Sequence, residues 1–160
     1  MPVRSTRQFR QIDAGSNHTC AVTTGYRGFC WGGNNVGQLG DGTLTQRRWP
    51  KAVAGGLSFG RVTAGGSHTC GEVTGNKAYC WGGNGDGGLG DGTMANRRRP
   101  VAVVGGLYFK QLSAGLHNRT CGKTEAGVGY CWGDNEFYAL GNGGFDEFDA
   151  LTPTPVAGPL

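Results

Sequence analysis

Three copies of one fifty-residue unit run in tandem through the 160-residue chain, and this repeat constrains the fold more than any other feature. Phe9, Phe59 and Phe109 open the copies, and a Cys-Trp-Gly triplet recurs in each at the same offset, delayed by one inserted residue in the third. The chain therefore divides into a short N-terminal tail and three repeats, at residues 1–8, 9–58, 59–108 and 109–160. A unit that recurs at this period is the unit from which the fold is built.

Each repeat has the pattern of four short β-strands. In the first repeat, residues 9–13 alternate apolar and polar side chains, and residues 18–23 and 28–32 flank a short connection that contains glycine. A long Gly-, Asn- and Asp-rich loop follows at 33–48, and residues 50–54 suit an edge strand because proline is tolerated there. The 33 glycines leave little room for helices. We predict an all-β chain of three tandem four-stranded propeller blades, a partial β-propeller.

The motifs of the repeat resemble those of a known family. The order Ala-Gly-x-x-His-Thr, Trp-Gly-x-Asn-x-x-Gly-x-Leu-Gly and Pro-x-x-Val is similar to the repeat of the regulator of chromosome condensation family, over about 150 residues of the chain. The added cysteine pairs resemble its exported bacterial branch. The third repeat departs from the motif: Arg119 stands where histidine is expected, His117 is displaced, and Tyr138-Ala139 replaces Gly-Gln before Leu140.

The resemblance implies a β-propeller, commonly of seven blades. Family members include a nucleotide-exchange factor and a β-lactamase inhibitor, which work by presenting loops on one propeller face. The implied function is therefore a non-catalytic scaffold for protein–protein interaction.

Three blades are too few to close a ring, since about four is the minimum. Either the chain is an arc of a longer protein, or several copies complete the ring. We expect self-association, most simply a dimer of six blades, with an unknown protein as the other possible partner.

The six cysteines form three pairs that are each ten residues apart and straddle a predicted hairpin symmetrically. Six cysteines allow 15 pairings, but the threefold repetition favours the local one, because residues facing each other in a hairpin lie within disulfide range. The predicted bonds are Cys20–Cys30, Cys70–Cys80 and Cys121–Cys131. Disulfides imply an extracellular or periplasmic source protein, although the first residues of this chain do not form a signal peptide.

An alternative for the cysteines is a metal site, and with it an enzyme. His18, Cys20 and Cys30 have the residue types of a zinc site but lack a fourth ligand. A hydrolase or metal-dependent enzyme with a site at the ring centre or a chain junction is thus the rival hypothesis. We predict no catalytic residue, no metal and no cofactor, because the residues that repeat are those that hold a repeat together. His18 and His68 are each expected to form a hydrogen bond that pins a turn. No run of apolar residues is long enough to span a membrane.

Charge differs between the repeats: the first two carry net charges of +3 and +2, and the third carries −3. The charged clusters occupy equivalent loops before the last strand. Either these loops are simply solvated, or the acidic loop of one copy faces the basic loop of another. The predicted interaction residues are Arg47, Arg48, Trp49, Arg97, Arg98, Arg99, Asp146, Glu147 and Asp149. Nucleic acid is the less favoured partner, because the positive charge is modest and one third of the chain is acidic.

Overall fold

A computed structural model describes residues 7–144 and 148–158. Its strands form three separate four-stranded antiparallel sheets, each built from consecutive strands of one repeat. The first sheet contains β1 (Phe9–Ala14), β2 (His18–Thr23), β3 (Gly28–Gly32) and β4 (Arg47–Ala52). The second contains β5 (Phe59–Ala64), β6 (His68–Val73), β7 (Ala78–Gly82) and β8 (Arg97–Ala102). The third contains β9 (Phe109–Ala114), β10 (Arg119–Thr124), β11 (Gly129–Gly133) and β12 (Ala150–Pro155).

The three sheets are propeller blades arranged as an open arc, as the repeat predicted, and no sheet among the described residues closes on itself. A 3₁₀-like turn, Glu136–Tyr138, lies in the long loop of the third blade and includes left-handed backbone at Phe137. No helix within residues 7–144 and 148–158 is long and apolar enough to cross a membrane.

The cysteine prediction is confirmed. Cys20 lies directly opposite Cys30 in the ladder between β2 and β3, and the other two pairs are opposed in the same way. Three disulfides join Cys20–Cys30, Cys70–Cys80 and Cys121–Cys131, each with a Cα–Cα distance of 4.1 Å. Because both sulfurs of each pair are bonded to each other, the alternative zinc site has no thiolate ligands.

The start of the fourth strand was predicted wrongly. It begins at Arg47 and Arg97, three residues before the prolines that were expected to open it. Arg47 pairs with Gly32 across the ladder, and its guanidinium is held by Asp41 of the preceding loop. This side-chain contact extends the strand into residues that the sequence assigned to the loop.

The apolar core lies between the blades. One buried cluster joins the disulfide of the first blade, with Leu39 and Val53, to Phe59, Val62 and Trp81 of the second. The corresponding cluster joins the second blade to Phe109, Leu112 and Trp132 of the third. Leu39 and Trp81 are fully buried. The expectation that the repeated tryptophans form core between blades is therefore confirmed at these two junctions.

A glycine is required where each tryptophan meets the preceding blade. A Cβ atom on Gly40 would lie 2.6 Å from Nε1 of Trp81, and Gly40 also has a positive φ of 67°. Gly90 meets Trp132 in the same way. In the Leu-Gly pair of the repeat, the leucine thus contributes a buried side chain, and the glycine leaves room for the tryptophan of the next blade.

Candidate interaction surfaces

The two junctions inside the chain show how one blade binds the next. At the first junction, the Gln38 carbonyl accepts hydrogen bonds from Trp81 Nε1 at 3.0 Å and from the Thr69 hydroxyl at 2.8 Å. His18 Nε2 lies 2.8 Å from the same hydroxyl. His68, Thr120, Trp132 and Gly88 repeat the arrangement at the second junction.

The prediction that the two histidines pin a turn was therefore wrong. His18 and His68 join neighbouring blades and do not simply pin their own turns. Burial lowers the pKa of each histidine to about 4, because the charged form loses its hydration. Both rings are neutral at ordinary pH.

The inner edges of the blades are joined by side chains that bond to backbone. The side-chain amide of Gln11 donates to the Val62 carbonyl at 2.8 Å and accepts from the Val62 backbone amide at 3.0 Å. It thus makes the pair of hydrogen bonds that a neighbouring strand would make. Asp13 accepts from the Ala64 amide at 2.9 Å. At the second junction Glu72 accepts from the Leu112 amide, and burial raises the pKa of its carboxyl, although that hydrogen bond opposes the effect.

The outer edges are joined by the long loops. The Gly42 amide, in the loop of the first blade, donates to the Arg98 carbonyl of β8 at 2.9 Å. The Gly92 amide donates to the Leu151 carbonyl of β12 at 3.0 Å. The long loops of the first two blades therefore each rest on the outermost strand of the next blade.

The first blade presents a face with no blade against it in this chain. Ile12 occupies the position of Val62 and Leu112, yet its side chain is 61% exposed whereas theirs are 3% and 7% exposed. Trp31 is half-buried, whereas the equivalent Trp81 is fully buried. This open face has the side chains that the other two blades bury.

The third blade presents the opposite open face. A shallow, mostly apolar groove of about 270 Å³ is lined there by the Cys121–Cys131 disulfide, Val156, Gln111 and Ser113. Cys20, Cys30 and Val53 are the equivalent residues of the first blade, and they contact the second blade. Gln111 and Ser113 occupy the positions of Gln11 and Asp13, which bond to the next inner strand.

The predicted basic residues lie on strands β4 and β8, not in loops, and they divide into two kinds. Arg47 and Arg97 form ion pairs inside their own blades, at 2.7 Å to Asp41 and 2.8 Å to Asp91. Burial alone would raise the pKa of each aspartate, but hydrogen bonds from threonine and arginine outweigh it and hold the pKa below its usual value. The members of the predicted set that are exposed on the outer strands are Arg48, Trp49, Arg98 and Arg99.

Of the three acidic residues in the predicted interaction set, only Asp149 lies within the described residues. Asp149 is exposed, but its carboxylate accepts a hydrogen bond from the Asn135 amide at 3.1 Å and so also holds its own loop. Asp146 and Glu147 lie outside the described residues. The structure places Arg98 and Arg99 on one strand, and within residues 7–144 and 148–158 no ion pair joins Asp149 to either of them.

Two exposed residues, Ile12 on the open face of the first blade and Tyr138 in the long loop of the third, were absent from the predicted set. Ile12 belongs to the repeated apolar positions, so its exposure in a first blade is signalled by the repeat itself. Tyr138 is visible in sequence as a departure from the motif, but what a side chain does there depends on how the blades pack. Within residues 7–144 and 148–158, no three His, Cys, Asp or Glu side chains are grouped as metal ligands.

Four-stranded blades that bury tryptophan between neighbours, joined by loop-to-strand contacts, define a β-propeller repeat protein. Models of the regulator of chromosome condensation (RCC1) repeat match residues 28–71 and 9–38. Residues 9–71 therefore contain RCC1 repeats. A search of curated proteins found no match.

Solved structures of the same fold cover almost all of the chain. Yeast RCC1 (Prp20), in a crystal structure with Kap60, is 24% identical with a TM-score of 0.84 over 95% of this chain and 37% of that one. Prp20p from Saccharomyces cerevisiae, in a structure whose description includes binding to Gsp1p and histones, is 25% identical with a TM-score of 0.84, over 95% and 39% of the two chains. Human WBSCR16 is 18% identical with a TM-score of 0.82, over 96% and 39%. The chain thus spans less than two fifths of the length of these proteins.

Proposed function

We propose that the chain is a protein-interaction scaffold that self-assembles. The open face of the first blade of one copy binds the open face of the third blade of a second copy, and two such contacts most simply close a ring of six blades. The observation that carries the proposal is Ile12, 61% exposed at a position where both other blades bury their residue. Heterologous contacts of this kind close into rings when the rotation between subunits allows. The similar protein Prp20 is described with protein partners, which supports an interaction role.

The two faces are complementary because they repeat the two halves of a junction that the chain already contains. The groove of the third blade supplies the disulfide, Val156 and the polar pair Gln111 and Ser113. The first blade supplies Ile12 and Trp31. If two copies dock with the same geometry as the blades inside one chain, the Ile12 backbone of one copy lies beside Gln111 of the other, as Val62 lies beside Gln11.

The outer strands offer a second, basic surface to other proteins. Arg48 and Trp49 of β4 and Arg98 and Arg99 of β8 are exposed, and the Trp49 side chain is 61% exposed. Exposed tryptophan beside arginine is the composition of an interaction hot spot. The three disulfides support an oxidising, extracellular or periplasmic location for the source protein.

Ile12→Ser tests the proposal. Burial of an isoleucine side chain contributes about 1.5–3 kcal/mol, so we expect the dissociation constant of the assembly to rise about 10- to 100-fold. Sedimentation velocity over a concentration series measures it, with twice the chain mass of 16.7 kDa as the expected assembly.

Met94→Ser is the matched control, because Met94 is 57% exposed but lies in the long loop of the second blade, away from both open faces. It should leave the assembly unchanged. A wild-type chain that is folded and monomeric at every concentration would refute self-assembly.

A further inference from the structure

The loops that rest on the next blade each have a glycine at the point of closest approach. A Cβ atom on Gly37 would lie 2.8 Å from the Arg98 Cα and 2.9 Å from the Arg97 carbonyl oxygen of β8. A Cβ atom on Gly87 would lie 3.0 Å from the Leu151 Cα of β12. Real Cβ atoms essentially never approach backbone as closely as at Gly37, and at Gly87 both the Leu151 side chain and its backbone would have to shift, so both junctions leave little room for a side chain.

Tyr138 occupies the equivalent position of the third blade. Its φ of 57° is left-handed, as are those of Gly37 at 90° and Gly87 at 77°. Its amide bonds to the Asn135 carbonyl at 3.0 Å, as the Gly37 amide bonds to the Asn34 carbonyl at 3.3 Å. The third loop therefore keeps the backbone framework of the other two and adds a large side chain to it.

The tyrosine is unfavourable for its own loop. A residue other than glycine costs roughly 1–2 kcal/mol in the left-handed region, and the Tyr138 side chain is 53% exposed. Phe137 beside it is also left-handed, with a φ of 59°. Local stability thus gives no reason for an aromatic residue at this position.

The rest of the third blade remains open to a neighbour. Gly141 corresponds to Gly40 and Gly90, which lie against the next tryptophan, and a Cβ atom on Gly141 would meet only Val156, at 3.5 Å. The groove beside the Cys121–Cys131 disulfide is also unoccupied by other parts of the described chain. Among residues 109–144 and 148–158, these two places are open, and the obstruction at Tyr138 lies at the outer part of the junction.

We propose that Tyr138 sets the strength and register of the contact between copies, by holding β4 of the second copy away from the third blade's loop. This inference rests on the proposed function and concerns the same site. Ile12 and Trp31 of the second copy enter the groove, while the strand that carries Arg48 is kept from the position that β8 and β12 occupy inside the chain. The contact between copies is therefore weaker than the junctions within one copy, and assembly is reversible.

Tyr138→Gly in the full chain tests this inference. It should lower the dissociation constant of the assembly by about tenfold or more, measured by sedimentation velocity. Amide hydrogen exchange gives a second readout: the amides of residues 47–49, 51 and 52 should become more protected in the assembled variant, because β4 would then be covered by the third loop.

Tyr138→Asn separates obstruction from backbone strain. Asparagine tolerates the left-handed region better than tyrosine does, yet it retains a Cβ atom at the position where the junctions have none. We expect it to gain much less affinity than Tyr138→Gly. Equal gains for the two variants would show that strain, and not obstruction, governs the contact, and would overturn the inference.

The outcomes for the inference and for the proposed function differ. If the wild-type chain assembles and Tyr138→Gly has the same dissociation constant, the inference fails and the proposed function stands. If only Tyr138→Gly assembles, and Ile12→Ser abolishes that assembly, the inference stands and self-assembly of the wild type fails. If neither chain assembles, both are wrong.

Discussion

At the scale of single residues, two neutral histidines connect the blades. The Thr69 hydroxyl donates to the Gln38 carbonyl, so it must accept from His18 Nε2, and that nitrogen carries the ring proton. Nδ1 of His18 and Nδ1 of His68 are buried with no hydrogen-bond partner in the described part of the chain. Protonation would therefore place an unpaired charge inside a junction.

We predict that the free energy of unfolding falls as the pH is lowered from about 6.5 to about 4. The pKa of His18 and of His68 is about 4 in the folded chain, whereas the ordinary pKa of a solvent-exposed histidine is 6.5. The unfolded chain therefore binds protons first, and each histidine removes about 2–3 kcal/mol of stability between neutral pH and about pH 4.5. Urea unfolding at neutral pH and at about pH 4.5 measures this loss of unfolding free energy.

His68→Gln should reduce this pH dependence, whatever its effect on stability at neutral pH. His117→Gln is the matched control, because the His117 side chain is exposed. Glu72 acts in the opposite direction, since its raised pKa favours the folded state as the pH falls, and it is common to all three chains. An unchanged pH dependence in His68→Gln would contradict the prediction.

At the scale of the structural element, the two central strands of each blade form a hairpin joined by a disulfide, and the three disulfides differ in their surroundings. All four cysteines of the first two blades are fully buried at junctions between blades. Cys121 and Cys131 instead line the open groove of the third blade, where Cys131 is 7% exposed and Cys121 is half-buried.

We predict that a small phosphine reductant cleaves Cys121–Cys131 first in the native chain. Access by the reductant controls such reactions, and the other two bonds need local opening of a junction. Alkylation of the freed thiols followed by peptide mapping identifies the order. At concentrations where copies assemble, reduction should slow, because the second copy covers the groove. Reduction of the three bonds at one common rate would refute the order.

The blade elements were largely predictable from sequence, whereas the details of their edges were not. Period-two patterns placed the first three strands, and hairpin symmetry paired Cys20 with Cys30, because both signals are local. The start of β4 depends on a guanidinium–carboxylate contact between Arg47 and Asp41, which no strand pattern encodes. The effect of Tyr138 depends on how close a Cβ atom at the equivalent glycines would come to the backbone of another blade, about 3 Å, which follows only from the packed structure.

At the scale of the whole molecule, the arc has a charge polarity that matches its two open ends. The first two repeats are basic, and the third carries the acidic residues Glu125, Asp134, Glu136 and Asp149 among those described. In the internal register, the third loop of one copy approaches β4 of the next, as the Gly42 and Gly92 loops approach β8 and β12. Opposite charges at the two ends favour head-to-tail over head-to-head encounter.

We predict that Arg48→Glu slows association by about two- to fivefold, the range expected for one exposed charge worth up to about 1 kcal/mol. Arg48 is exposed on β4, whereas Arg47 is bound to Asp41, so Arg47→Glu would damage the blade itself. Arg98→Glu is the matched control: it alters the same strand position of the second blade, where the chain's own loop already lies against the Arg98 backbone.

Stopped-flow mixing of labelled copies measures the association rate, and added salt should reduce the wild-type rate towards that of Arg48→Glu because the charges are screened. Since Tyr138 keeps β4 from close contact, the charge acts mainly before docking, so the dissociation rate should change less than the association rate. Equal effects of Arg48→Glu and Arg98→Glu would mean that total charge matters and not the polarity of the arc. A rate that does not depend on salt would exclude electrostatic steering between the two open ends.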